Sequence, residues 1–127
     1  MKYIFDTSFL LSLFIIDDTN HSNAINFFEN LWENNIFYIN EITYIELFTV
    51  ITYKLWFNDI KEIKNILDDL WVTFLNSWNM EYINFFEFMN KKISVTDASI
   101  IYDSIRYNLE ILTFDQEIIK IVKKFNS

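Results

Sequence analysis

Tyr3-Ile4-Phe5-Asp6-Thr7-Ser8 decides how the rest of the chain is read: a short β-prone apolar run stops on a carboxylate, and Phe9 to Ile16 then reads as a buried helix. A second strand is expected at Ile36 to Ile39, after a polar turn at Asp17 to Asn20 and a helix in which Ala24, Phe27, Phe28 and Leu31 recur at helical spacing. Thr43 opens a nearly all-apolar helix through Trp56, and its two-sided hydrophobicity suggests core burial plus a contact with a second subunit. Ile60, Ile63, Ile66, Leu67, Leu70 and Trp71 form the apolar stripe of an amphipathic helix. Val72 to Leu75 reads as a third strand, Met80 to Asn90 and Ser94 to Tyr107 as helices, and Glu110 to Phe114 as a strand ending at Asp115. Short apolar strands alternating with longer helices predict an α/β layered domain with a mainly parallel sheet.

With 127 residues and 52% apolar composition, the chain has material for one core, and one domain over residues 1–127 is expected. Its formal net charge of −8 excludes nucleic-acid binding through a broadly basic surface, so a bound metal or a local patch must supply positive charge. Cysteine is absent, which excludes disulfides, thiolate metal sites and zinc fingers. Glycine is absent too, which excludes a P-loop and passes positive-φ positions to asparagine; Asn34, Asn35, Asn40 and Asn108 are the candidates. Met1 to Ile16 superficially invites a signal-peptide reading, but Asp6 interrupts it and the apolar run is too short to span a bilayer. A cytoplasmic protein with no membrane segment is the expectation.

In open parallel sheets ligands bind beyond the carboxyl ends of strands, where Asp6 and Asp115 stand. Glu46 and Asp97 are expected in first helical turns, in Thr43-Tyr44-Ile45-Glu46 and Ser94-Val95-Thr96-Asp97, where the positive helix end tolerates a carboxylate. Both tetrapeptides also fit the capping box, and Asp115 fits an N-cap before Gln116-Glu117; taken singly, each acid reads more readily as a cap than as a ligand. Asp17, Asp18, Asp59 and Asp103 read as solvated surface charges. His21, the one histidine, stands at a helix start and reads as a surface or capping residue.

Taken together, these motifs resemble the PIN-domain family, in particular the small toxin nucleases of VapBC-type toxin–antitoxin pairs, over nearly the whole chain. Phe5-Asp6-Thr7-Ser8 resembles its opening strand–Asp motif, Thr43 to Glu46 its Glu-bearing helix, Thr96-Asp97-Ala98 with Ile100 and Ile101 its third acidic motif, and Leu112-Thr113-Phe114-Asp115 its fourth. The chain departs from the family in three ways. Ile118 to Phe125 stands where a terminal strand is usual, Phe, Tyr and Ile replace small residues in packed helices, and the overall charge is markedly acidic.

The resemblance implies a three-layer PIN-like domain, its short parallel sheet flanked by helices. It implies a metal-dependent endoribonuclease, with Asp6, Glu46 and Asp97 as the main metal-site acids and Asp115 as a further ligand, directly or through water. Oxygen ligands of this kind select Mg²⁺ or Mn²⁺. Thr7, Ser8 and Thr113 are candidates to orient the acids by hydrogen bonds, although the same hydroxyls also suit turn capping. Lys54, Lys91, Lys92 and Arg106 are candidates for phosphate contacts. The partners implied are an RNA substrate, a second copy of the chain and a cognate antitoxin protein. Two other readings stay open: a PIN-like association module without turnover, and a metal-dependent DNA nuclease.

Overall fold

Alternate side chains of the first strand face different layers, and that sets the architecture. The computed structural model describes residues 1–54, 57–75, 80–89 and 92–126. β1 (Lys2–Phe5) sends Tyr3 and Phe5 into a cluster with the helices α1 (Thr7–Phe14), α2 (His21–Leu31), α3 (Glu41–Thr52) and α4 (Phe57–Asp69). Ile4 faces the other way, against Ile100 and Leu109, where α5 (Met80–Met89), α6 (Val95–Tyr107) and α7 (Gln116–Asn126) lie. A strand buried on both faces needs a continuous apolar run rather than alternation, and Tyr3-Ile4-Phe5 supplies one.

β2 (Ile36–Asn40), β3 (Thr73–Leu75) and β4 (Glu110–Leu112) complete a four-stranded sheet in the order β3-β2-β1-β4, and every pairing is parallel. Register places Tyr3 opposite Phe37 and Glu110, and Tyr38 opposite Thr73. The expected three-layer α/β domain is therefore the one observed. The strand order reverses between β1 and β4, so the crevice beyond their carboxyl ends is the switch point at which such sheets bind ligands.

Aromatic side chains fill the larger layer. Phe37 stacks on Phe5 at 5.4 Å and 9° and on Tyr3 at 5.7 Å, and Phe9 stacks on Phe114 at 5.5 Å and 13°. These offset stacks occupy space that smaller helix residues would otherwise close by direct backbone approach.

Local geometry corrects several expectations. α3 begins at Glu41, two residues before Thr43, because the Asn40 side chain caps it by accepting from the Thr43 N–H at 2.7 Å. Glu46 is consequently in the second turn, and Thr43 is a fully buried residue of the first. The end of this expected helix, residues 55 and 56, lies outside the described residues, as does residue 90. Trp71 leaves the apolar stripe: it is 89% exposed and sits in the left-handed region at φ 56° just past α4. Asn34 and Asn108 do adopt positive φ, at 65° and 55°, but Asn35 and Asn40 do not. β4 stops at Leu112 instead of Phe114, and the Ile118 to Phe125 segment, which stands where the family usually has a terminal strand, forms part of α7. No helix among the described residues is long and apolar enough to cross a membrane.

Candidate active site

Asp6 follows β1 directly. Its N–H donates to the Leu112 carbonyl at 2.9 Å, and its own carbonyl accepts from the N–H groups of Phe9 and Leu10, starting α1. The backbone thus takes over the capping, and the side chain makes no cap hydrogen bond. Asp6 is 3% exposed, and its Oδ2 accepts from Ser8 Oγ at 2.7 Å and from Thr113 Oγ1 at 2.5 Å. Those hydroxyls in turn accept from backbone: Ser8 from the Phe114 N–H at 3.2 Å and Thr113 from the Asp115 N–H at 2.9 Å. Each hydroxyl spends its single proton on Asp6, so one carboxylate is held by two elements more than a hundred residues apart. Burial raises the Asp6 carboxyl above the ordinary value; the hydrogen bonds from Thr113, Ser8 and the Thr7 backbone oppose that, and the Asp115 charge adds to it.

Glu46 arrives from α3 and accepts from Thr96 Oγ1 of α6 at 2.7 Å. Asp97 is the third residue of α6, whose cap is Ser94: the Asp97 N–H donates to Ser94 Oγ at 3.0 Å. The Asp97 carboxyl is pushed up to about 6, first by burial, then by the charges of Asp6 and Asp115, with Glu46 a smaller contribution and a Ser94 hydrogen bond opposing. Asp97 therefore feels all three other acids. Asp115 caps α7, its Oδ1 accepting from the Glu117 N–H at 2.9 Å, so here the capping reading and the site reading coexist. The structure brings Asp6, Glu46, Asp97 and Asp115 into one electrostatic field.

Among the described residues, none of the four acids forms an ion pair, and no three acidic or imidazole side chains are grouped around an ion position. Arg106 sits in the last turn of α6, about 14 Å along the axis from Asp97, paired with Glu81 at 3.1 Å. Lys54 lies just past α3, in a groove it shares with Phe14, His21 and Ile63. Lys92 is exposed and two residues before the Ser94 cap, at the acidic end of α6. Lys91 lies outside the described residues. The Thr7 hydroxyl, expected to orient an acid, has no hydrogen-bond partner among the described residues, and neither has that of Thr43. His21 Nδ1 lies 2.8 Å from the Ser12 carbonyl, tying α2 to α1 away from the acids.

Of the acids expected as solvated surface charges, Asp103 departs furthest, while Asp59 is half-buried. Asp103 is not a solvated charge: it is 0% exposed, accepts from Asn40 Nδ2 at 3.0 Å, and lies 2.9 and 3.0 Å from the Tyr82 hydroxyl. Burial raises its carboxyl, opposed by those hydrogen bonds. Asp18 is also engaged, accepting from Ser12 Oγ and the Asn20 N–H, whereas Asp17 is exposed as expected.

The sequence matches the family model of the PIN domain over residues 3–124. The chain belongs to the PIN domain family. No curated protein matches this PIN domain significantly by sequence. Among solved structures it is similar to VapC20 of Mycobacterium tuberculosis, described as a sarcin-ricin loop cleaving toxin, with a TM-score of 0.80 at 14% identity over 94% of each chain. It is also similar to VapBC2 from Rickettsia felis bound to a DNA fragment from their promoter, with a TM-score of 0.74 at 18% identity over 95% of this chain and 93% of that one. Identities this low establish a shared PIN fold.

The donor set fits a divalent cation. It offers carboxylate oxygens alone, and burial together with the charges of Asp6, Asp115 and Glu46 pushes the Asp97 carboxyl up to about 6. Two carboxylates about 4 Å apart repel by roughly 1 kcal/mol in water and about 4 kcal/mol at an effective dielectric of 20. Hard cations such as Mg²⁺ and Mn²⁺ relieve such repulsion.

Proposed function

We propose that this PIN domain is a Mg²⁺- or Mn²⁺-dependent endoribonuclease and the toxin of a toxin–antitoxin pair. The observation that carries the reading is Asp97, a helix-start carboxylate raised to about 6 by burial and by the charges of three further acids. Capping alone gives four acids no reason to converge. Asp6, Glu46 and Asp97 would hold the ion, with Asp115 as a further ligand, directly or through water. When bound, such an ion supplies an acidified water and neutralises charge on the phosphate during in-line attack.

The chain's own residues prepare that chemistry. Ser8 and Thr113 fix Asp6 through two donated protons, so one oxygen of the carboxylate is oriented before any ligand arrives. Thr96 does the same for Glu46. Lys92, beside the α6 cap, is the described lysine best placed to meet an RNA phosphate. The net charge of −8 makes RNA binding dependent on the loaded site. We also propose a homodimer and an antitoxin that places an Arg or Lys among the carboxylates, a charge-assisted substitute for the ion. The VapC20 and VapBC2 structures above support the toxin reading through shared fold.

The test is Asp97→Asn. Asparagine starts helices nearly as well as aspartate but is a poor ligand for a hard cation. Saturating Mn²⁺ at 100 times its dissociation constant stabilises by about 2.7 kcal/mol, and the wild-type melting temperature should rise accordingly. In Asp97→Asn that rise should shrink sharply and RNA cleavage should fall by orders of magnitude. Equal metal-induced shifts with equal cleavage would sink the reading of Asp97 as a metal ligand; a wild type with neither shift nor cleavage would leave a PIN fold kept for protein association.

A further inference from the structure

Outside the acidic crevice, the described residues hold one buried polar assembly that joins three elements. Asn40, 1% exposed at the end of β2, uses its amide in two directions. Its oxygen caps α3 through the Thr43 N–H, and its nitrogen donates to Ser99 Oγ at 3.1 Å and Asp103 Oδ2 at 3.0 Å, both on α6. Ser99 Oγ donates to the Thr96 carbonyl at 2.6 Å, and Thr96 Oγ1 donates to Glu46. Glu46 lies six residues beyond Asn40 on α3, so the path closes on itself: Asn40, Ser99, Thr96, Glu46 and back along the helix. Asp103 stands against this ring with Tyr82 of α5 behind it.

An asparagine amide can turn over and exchange its oxygen and nitrogen. Facing Thr43 N–H on one side, it must present oxygen there; an acceptor opposite its nitrogen makes that orientation the one with every group satisfied. Asp103, 0% exposed, is that acceptor, with Ser99 Oγ beside it. Without Asp103 one of the two bonds that hold the amide nitrogen against α6 is lost.

We propose that Asp103 is a positioning residue of the site: by fixing the Asn40 amide it holds α3 against α6, and so keeps Glu46, bonded to Thr96, beside the first turn of α6 that carries Asp97. It touches neither ion nor RNA. The proposal rests on the metallonuclease reading, but the ring itself is independent of it.

The experiment compares Asp103→Ala, Asp103→Asn and Ser99→Ala with the wild type. Asparagine at 103 keeps an acceptor oxygen for Asn40 and drops only the charge, whereas Ser99→Ala deletes one hydroxyl and is the variant of choice if Asp103→Ala does not fold. Mn²⁺ affinity by calorimetric titration should weaken about 10–100-fold in Asp103→Ala and Ser99→Ala, with kcat on RNA falling and KM little changed. Exchange of the Thr43 amide in metal-free protein should accelerate about tenfold in the same variants, ahead of amides elsewhere in α5 and α6. Asp103→Asn should stay within about twofold of wild type on every readout. An Asp103→Asn as damaged as Asp103→Ala would overturn the proposal, because charge rather than acceptance would then be required. So would uniform acceleration of exchange with Mn²⁺ affinity intact, the signature of lost stability alone. A wild type that neither binds Mn²⁺ nor cuts RNA defeats the nuclease reading instead, and the Thr43 exchange then decides the ring by itself.

Discussion

Asp97 is where the cost of gathering acids can be measured. Its carboxyl ordinarily titrates near 3.8 and here at about 6, so between those values the folded protein binds a proton that the unfolded chain has released. Stability tied to that proton is fully present below the unfolded value and is lost as pH rises through about 6; the burial of Asp6 and Asp103 acts in the same direction. Metal-free protein should therefore melt higher at pH 5 than at pH 7.5, and Asp97→Asn should flatten the difference. With Mn²⁺ the dependence should reverse, since a ligand must be deprotonated to bind; melts in EDTA and in Mn²⁺ across that range test both. Thr113→Val removes a proton donated to Asp6 and the acceptor for the Asp115 N–H. It should cost about 1–3 kcal/mol in chemical denaturation, the usual range for leaving a buried polar group unsatisfied. The positions of Asp6 and Asp97 follow from a strand end and a helix start, which are local signals, whereas Glu46 was singled out by the family resemblance and stands in the second turn of its helix. Asp103 was not legible, because nothing near it in sequence tells of Asn40, 63 positions away, or of Tyr82, 21 positions away.

Helix ends show how a chain without glycine solves problems glycine usually solves. After α4 the Trp71 N–H donates to the Asp68 carbonyl and the Val72 N–H to the Leu67 carbonyl, the paired bonds of a Schellman motif whose left-handed residue is Trp71. Asn108 occupies the corresponding left-handed position after α6, where its side chain tolerates φ 55°. A bulky residue in that region costs roughly 1–2 kcal/mol, and Trp71, being 89% exposed, has little burial to offset it. Trp71→Gly should raise stability by about 1 kcal/mol net of glycine's extra freedom in the unfolded chain, whereas Trp71→Ala should gain far less. Thermal or urea melts of the pair decide it. Strand and helix positions were readable from periodicity, which reports burial. Boundaries were not, because Asn40 rather than Thr43 caps α3 and only the fold reveals which polar side chain reaches the free N–H.

At the scale of the molecule, the outward face of α3 bears on the expected second subunit. Ile45 is 59% exposed and Tyr53 87%, with Thr49 between them, so the face is less apolar than the sequence run suggested. Light scattering at tens of micromolar should nonetheless give the mass of two chains, with Ile45→Glu shifting it to one; a wild-type mass of one chain removes the dimer. The layered α/β plan was legible throughout, because β1 is apolar on both faces and only a sheet covered on both sides accommodates it. The same strand governs timing. β1 pairs with β4, and the Asp6 carboxylate receives its second proton from Thr113, 107 residues later. At the ribosome's pace of about 5–20 residues per second, the interval is on the order of ten seconds. Over that interval Glu46 and Asp97 are added, but the strand and the hydroxyl that hold Asp6 come last. Until residue 113 has been made the nascent chain has no assembled centre, and whatever this site does waits for it.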